Sequence, residues 1–168
     1  MVNHMNIRRV TATDAEQITE IYNWHVLNTI VTFETTAVTP AEMRQRIQDT
    51  LANHDWIVGE CNQQVIGYAY YGPFRARAAY SHTVESTIYL SSDVTGRGFG
   101  KSLYAALIAS ATSKDFREMI GVIALPNPAS IALHQTLGFQ DIGVLRGVGY
   151  KFGQYIDVGL WQRSSQLT

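Results

Sequence analysis

Residues 92–103 read Ser-Asp-Val-Thr-Gly-Arg-Gly-Phe-Gly-Lys-Ser-Leu, with Gly96, Gly98 and Gly100 at every second position. The strand-like run TVESTIYL (83–90) comes just before, and Leu103, Leu107, Ile108 and Ala111 follow at helical spacing. A glycine turn between a strand and a helix is suited to an anion. Glycine lets the backbone pass close to a ligand, and the first N–H groups of the helix, unpaired within it, add the positive end of the helix dipole. Arg97 and Lys101 supply further positive charge. The plain alternative is an ordinary glycine-rich turn.

Two familiar phosphate loops fail on spacing. The dinucleotide fingerprint G-x-G-x-x-G needs its third glycine where Lys101 stands. The nucleotide-hydrolase loop needs four residues between its glycines, whereas Gly96 and Gly100 enclose three. The apolar run MIGVIAL (119–125) ends in Pro126 and Asn127, with no aspartate to hold magnesium.

The chain has 168 residues, 46% of them hydrophobic and 16% charged, which suits one globular domain over 1–168. A net charge of -1, with Lys101, Lys114 and Lys151 the only lysines, offers no footprint for nucleic acid or an anionic membrane. Cys61 is alone, and the start MVNHMNIRRV lacks the apolar centre of a signal peptide. The expectation is a soluble protein of a reducing cytoplasm. His82 and Glu85 fall on opposite faces of a strand, and His4, His25 and His54 show no ligand spacing, so no metal is expected.

The order of elements follows from periodicity and caps. IRRV (7–10) reads as a short strand, and Thr13 with Glu16 as a capping box ahead of Ile18, Ile21, Tyr22 and His25. Thr39, Pro40 and Glu42 open a second helix with Met43, Ile47 and Leu51 as its buried stripe. WIVGEC (56–61) and VIGYAYY (65–71) flank a polar hairpin turn, Asn62-Gln63-Gln64. MIGVIAL reads as a strand covered on both faces, Pro128–Leu137 as a short helix, and GFQDIGVL and YIDVGLWQ as two last strands. The result is β-α-α-β-β-β-α-β-α-β-β, an α/β domain.

The segment Thr95-Gly96-Arg97-Gly98-Phe99-Gly100 resembles the pyrophosphate loop of the GNAT acetyltransferases, with Thr95 where that family usually has Arg or Gln. Asn127 to Phe139 is similar to that family's N-x-x-[AS]-x-x-x-[YH]-x-x-x-G-F segment. The words TVEST, LPN and DVGLWQ resemble the branch that acetylates phosphinothricin, methionine sulfoximine and methionine sulfone, from about Ile7 to about Gln162. The resemblance implies a GNAT-like single domain with a mixed, mostly antiparallel sheet flanked by helices. It also implies acetyl-coenzyme A as co-substrate, a small amino-acid acceptor and a homodimer.

Acetyl transfer needs a neutral amine, a polarised thioester carbonyl and a proton for the leaving thiolate. Alternation along the strand puts Glu85, Thr87 and Tyr89 on one face, opposite Val84, Ser86, Ile88 and Leu90. A carboxylate there is costly unless used or paired; the resemblance implies that Glu85 is the general base. It further implies a freed backbone N–H near Tyr89 at the carbonyl, with Ile88, Tyr89 and Leu90 along the pantetheine arm. By the same resemblance Gly96, Arg97, Gly98, Phe99, Gly100 and Lys101 would cradle the pyrophosphate, and Asn127 would bond the arm. His134 stands where the superfamily often has an acidic tyrosine, so His134 and Tyr104 are both candidates to protonate the thiolate. Substrate contacts are implied for Phe33, Arg75, Ala76, Arg77, Glu85, Ser86 and Thr87, the arginines as forks for an acidic group. Acetylation of a peptide amine and a non-catalytic acyl-coenzyme A sensor are the alternatives; a sensor has no need of a buried base.

Overall fold

A computed structural model describes residues 4–165. Seven strands form one sheet in the order β1-β2-β3-β4-β5-β7-β6: β1 Asn6–Arg9, β2 Trp56–Cys61, β3 Gln64–Pro73, β4 Thr83–Leu90, β5 Glu118–Leu125, β6 Gln140–Lys151 and β7 Gln154–Ser164. Four helices flank it: α1 Ala15–Asn28, α2 Pro40–Leu51, α3 Phe99–Ser113 and α4 Pro128–Thr136. The order expected from the sequence is the order found.

Every strand pairing is antiparallel except β4 with β5, which the α3 crossover makes parallel. That pairing is short. It runs from Thr83↔Glu118 to Ser86↔Gly121 and stops, although β4 continues to Leu90 and β5 to Leu125. Beyond Ser86, β4 keeps β3 on one side, while β5 stays with β7 as far as Leu125↔Asp157. The sheet therefore splits along its middle. MIGVIAL is not covered throughout: Val122, just past the split, is 44% exposed.

A separate core packs on each face, and the second joins the two halves of the sheet. Ile18, Val26, Met43, Ile47, Val58 and Tyr68 pack under α1 and α2. Leu103, Tyr104, Leu107, Met119, Phe139 and Trp161 pack under α3 and α4. Leu51 joins the first core only as a partly buried neighbour.

The first cap lies two residues earlier than its spacing suggested. The Thr11 N–H and hydroxyl donate to Asp14 Oδ2 at 2.7 and 3.0 Å, ahead of a 3-10 turn that leads into α1. Arg8 explains the choice: its guanidinium grips both oxygens of the buried Asp14 at 2.8 Å and holds that carboxyl below its usual range. The α2 cap is as expected, with Glu42 N–H on Thr39 Oγ1 at 3.2 Å and Thr39 N–H on Glu42 Oε2 at 2.6 Å. The turn between β2 and β3 needs Asn62 and Gln63 alone, both left-handed with φ of 51° and 65°, and Gln64 already belongs to β3. β6 runs on to Lys151, past the end expected for it.

Leu107 is fully enclosed in the α3 core. Leu107→Ala should cost about 2–5 kcal/mol in denaturant unfolding. A loss under about 1 kcal/mol would mean the site collapses freely and α3 is loosely seated.

Candidate active site

The split between β4 and β5 opens a cavity of about 620 Å³. Its wall takes in Glu85, Ser86, Thr87, Ile88, Tyr89 and Leu90 from β4, and Val122, Ile123 and Ala124 from β5. Gly96, Gly98, Gly100 and Lys101 close one end, Asn127 and His134 of the α4 region another side, and Phe33 a third. Residues far apart in sequence meet here because the sheet gives way.

The hydrogen-bond parity of β4 decides which backbone groups face the gap. Thr83 O accepts from Phe74 N–H, and Ser91 N–H donates to Ile66 O, both toward β3. The register between these two points is unbroken, so Glu85, Thr87 and Tyr89 also turn their backbone groups to β3. Ile88 and Leu90 turn theirs into the gap. The freed N–H placed near Tyr89 by the resemblance thus belongs to its neighbours, and Tyr89 contributes its ring. That ring meets Tyr22 edge-on at 5.3 Å, and burial pushes the phenol up.

Glu85 lies in the cavity wall with no hydrogen bond or ion pair among the described residues, and burial alone raises its pKa above the ordinary carboxylate value. On the opposite face, Ser86 Oγ meets Tyr104 Oη at 2.7 Å, and Tyr104 Oη meets His134 Nε2 at 3.0 Å. The His134 Nδ1–H donates to Ser130 O at 2.8 Å, because a carbonyl only accepts. Burial holds His134 below its usual pKa, so the neutral ring accepts the Tyr104 proton at Nε2. Tyr104 itself is fully enclosed and reaches the cavity through these two partners. Gly121 is what admits the ring: a Cβ there would lie 2.6 Å from His134 Cδ2 and Nε2.

At the loop, Gly96 and Gly98 have φ of 76° and 83°, left-handed values that L side chains rarely adopt. Gly98 is the N-cap of α3, so the unpaired N–H groups of the first turn open onto the cavity end. Gly100 is small for a different reason, since a Cβ would meet Leu90 Cδ1 at 3.3 Å. Thr95 lines the cavity with its hydroxyl tied back to Ser92 O at 3.3 Å. Asn127 caps α4, its Oδ1 accepting from Ser130 N–H at 3.1 Å. Its Nδ2 bonds nothing among the described residues.

An Acetyltransferase (GNAT) domain model matches residues 7–160. A phosphinothricin N-acetyltransferase from Streptomyces viridochromogenes is 39% identical over 163 residues, covering 97% of this chain and 89% of that one. An L-methionine sulfoximine/L-methionine sulfone acetyltransferase from Pseudomonas aeruginosa is 36% identical over 160 residues, covering 94% and 92%. The crystal structure of a phosphinothricin acetyltransferase from Sinorhizobium meliloti, in complex with acetyl-coenzyme A, matches with a TM-score of 0.93 at 41% identity, covering 95% of this chain and 88% of that one.

The chain belongs to the GNAT acetyltransferase family. Acetyl-coenzyme A is its co-substrate, and the split sheet fits that GNAT ligand: N–H groups for a pyrophosphate at one end, open strand edge for a pantetheine arm beyond. No cluster of three or more His, Cys, Asp or Glu side chains suited to a metal occurs among the described residues.

Besides Tyr104, five residues named from the sequence stay out of the cavity wall. Arg97 and Phe99 belong to the glycine loop but do not line it. Arg75, Ala76 and Arg77 lie exposed in the loop after β3, where Arg75 stacks on Phe74 at 4.9 Å and Tyr80 at 5.5 Å. His25, set aside in the sequence, does line the cavity and reaches Leu90 O with Nε2 at 2.8 Å. That bond occupies a carbonyl the missing β5 partner would otherwise leave open.

Gly98→Ala forces a left-handed alanine at the cap, a strain of about 1–2 kcal/mol. Coenzyme A binding measured calorimetrically should weaken by about tenfold or more. Unchanged affinity would mean that the loop conformation does not matter to the ligand.

Proposed function

We propose that the protein transfers the acetyl group of acetyl-coenzyme A to the α-amine of a small amino-acid analogue, with phosphinothricin, methionine sulfoximine and methionine sulfone as the candidate acceptors. The observation that carries this reading is Glu85, an unpaired, half-buried carboxylate in the cavity wall whose pKa burial raises. An ordinary structural carboxylate would be paired or solvated. A raised pKa brings Glu85 nearer that of the ammonium it must deprotonate, directly or through a water.

The neutral amine nitrogen then attacks the thioester carbon. The Ile88 and Leu90 N–H groups, facing the gap, are the donors we assign to the carbonyl oxygen and the adjoining arm. Breaking the C–S bond leaves a thiolate whose conjugate acid has a pKa of about 8.5, so a weak acid suffices. The proton it takes is balanced by the one the attacking nitrogen sheds as the amide forms, and we assign its delivery to the Ser86–Tyr104–His134 chain, each hydroxyl giving up one proton as it takes another.

Arg75 and Arg77 are retained as a clamp for the acceptor's acid group, because no carboxylate pairs with either among the described residues. We also propose a homodimer. β6 is an edge strand, and Ile142, Val144, Leu145, Val148 and Tyr150 on it, with Tyr155 on β7, are all exposed. An apolar edge of that length is a pairing hazard unless a second copy covers it. No helix of the described residues is long and apolar enough to cross a membrane; with Cys61 free, the reading is of a cytoplasmic enzyme.

Glu85→Gln should cut turnover by about 10²–10⁴-fold at neutral pH. Wild-type activity should fall as pH drops through the raised Glu85 pKa, a limb the variant lacks. Burial disfavours the ionised carboxylate, so the variant should keep or raise the melting temperature at neutral pH. Wild-type turnover in the variant would return Glu85 to a structural role. For the dimer, Val148→Lys should convert the protein to a monomer in sedimentation; a wild type already monomeric at micromolar concentration would refute the interface.

A further inference from the structure

Phe33 is the aromatic side chain that the loop between α1 and α2 contributes to the cavity wall, and it is 40% exposed. A half-exposed ring on a loop holds its place only if something outside the loop fixes it. β6 supplies that fixture at two positions on one face, Gly149 and Lys151, both buried on either side of the exposed Tyr150.

The far end of the Phe33 ring lies against Gly149. A Cβ on that residue would come within 2.3 Å of Phe33 Cζ and 2.4 Å of Cε2, closer than side chains pack. Gly149 has no positive φ to account for its being glycine, so the seat for the ring is the reason. Two residues on, the Lys151 Nζ donates to Thr32 O at 2.8 Å, one residue before Phe33. Lys151 is only 3% exposed and has no carboxylate partner among the described residues. Burying an ammonium on one carbonyl, with only the Phe152 ring 5.0 Å away besides, is unfavourable unless it fixes something. What it fixes is the backbone next to Phe33. Tyr22 Oη completes the hold on Thr32 Oγ1 at 2.9 Å.

We infer that Gly149 and Lys151 of β6 form a latch that sets the position of Phe33, and that these two residues, remote from the chemistry, determine how the acceptor amino acid fits. The inference rests on the proposed amino-acid acceptor and assigns Phe33, in the cavity wall, to its contacts. It makes the acceptor side of the site a property of β6, whereas the coenzyme A side is a property of the glycine loop. A disturbance of the latch therefore changes acceptor affinity and leaves coenzyme A affinity alone.

The added methyl of Gly149→Ala meets the end of a side chain rather than backbone, so Phe33 swings away at little cost to the fold. The test is a double-mutant cycle with Phe33→Ala, reading methionine sulfone binding to the coenzyme A-saturated protein by calorimetry alongside the KM for acetylation. Gly149→Ala should weaken methionine sulfone by about tenfold or more, with coenzyme A affinity unchanged. In the Phe33→Ala background the same substitution should have no further effect, because the ring it would strike is gone. Lys151→Met should also weaken the acceptor, and Lys151→Arg should restore part of the loss. Additive effects of Gly149→Ala and Phe33→Ala, or an acceptor affinity untouched by Gly149→Ala, would overturn the latch. A wild-type protein that binds coenzyme A but neither binds nor acetylates methionine sulfone or its two companions would instead overturn the acceptor reading.

Discussion

The parallel ladder between β4 and β5 ends at Ser86 and Gly121, and the site depends on that early ending. A sheet whose central pair stayed together to Leu90 and Leu125 would have no cavity and no unpaired N–H at Ile88 and Leu90. The outer pairings prevent closure. β3 holds β4 to its end and β7 holds β5 to its end, each with antiparallel bonds that the split leaves intact. An open edge in the middle of a sheet leaves polar groups unsatisfied. His25 meets one of them by donating to Leu90 O. A bound pantetheine arm is suited to the rest, in the manner of an added strand.

The split also sorts the chemistry by face. Side chains alternate along β4, so Glu85 emerges on the α1 and α2 side and Ser86 on the α3 and α4 side. Glu85 and the Ser86–Tyr104–His134 chain thus stand on opposite faces of β4. Gly121 and Gly149 serve the two faces in the same way: each lacks a side chain because a ring, His134 or Phe33, occupies that space.

Much of this was legible in the chain because its signals are local. The order of strands and helices, the Thr39 cap, the glycine loop and the Glu85 face all follow from spacing within a few residues. What escaped depends on partners distant in sequence. Nothing in TVESTIYL or MIGVIAL marks where their pairing stops. Thr13 and Glu16 make as good a capping pattern as Thr11 and Asp14; Arg8 decides between them by gripping Asp14 at 2.8 Å. His25 looks like a helix residue turned to the core until Leu90 O is found opposite it. The glycines in VIALPN's strand and in RGVGYK give no hint of the rings laid over them. Arg75 and Arg77 read as a pair aimed at a ligand, yet their loop holds them at the surface.

The most direct test is residue-resolved amide hydrogen exchange by NMR with and without coenzyme A. The Ile88 and Leu90 amides face the gap, so they should exchange readily in the free protein and slow sharply when the ligand is bound. The Tyr89 amide, already turned to β3, should be protected in both states. Equal protection of Ile88 and Leu90 with and without coenzyme A, or a ligand effect centred on Tyr89, would contradict a site built on the open edge of β4.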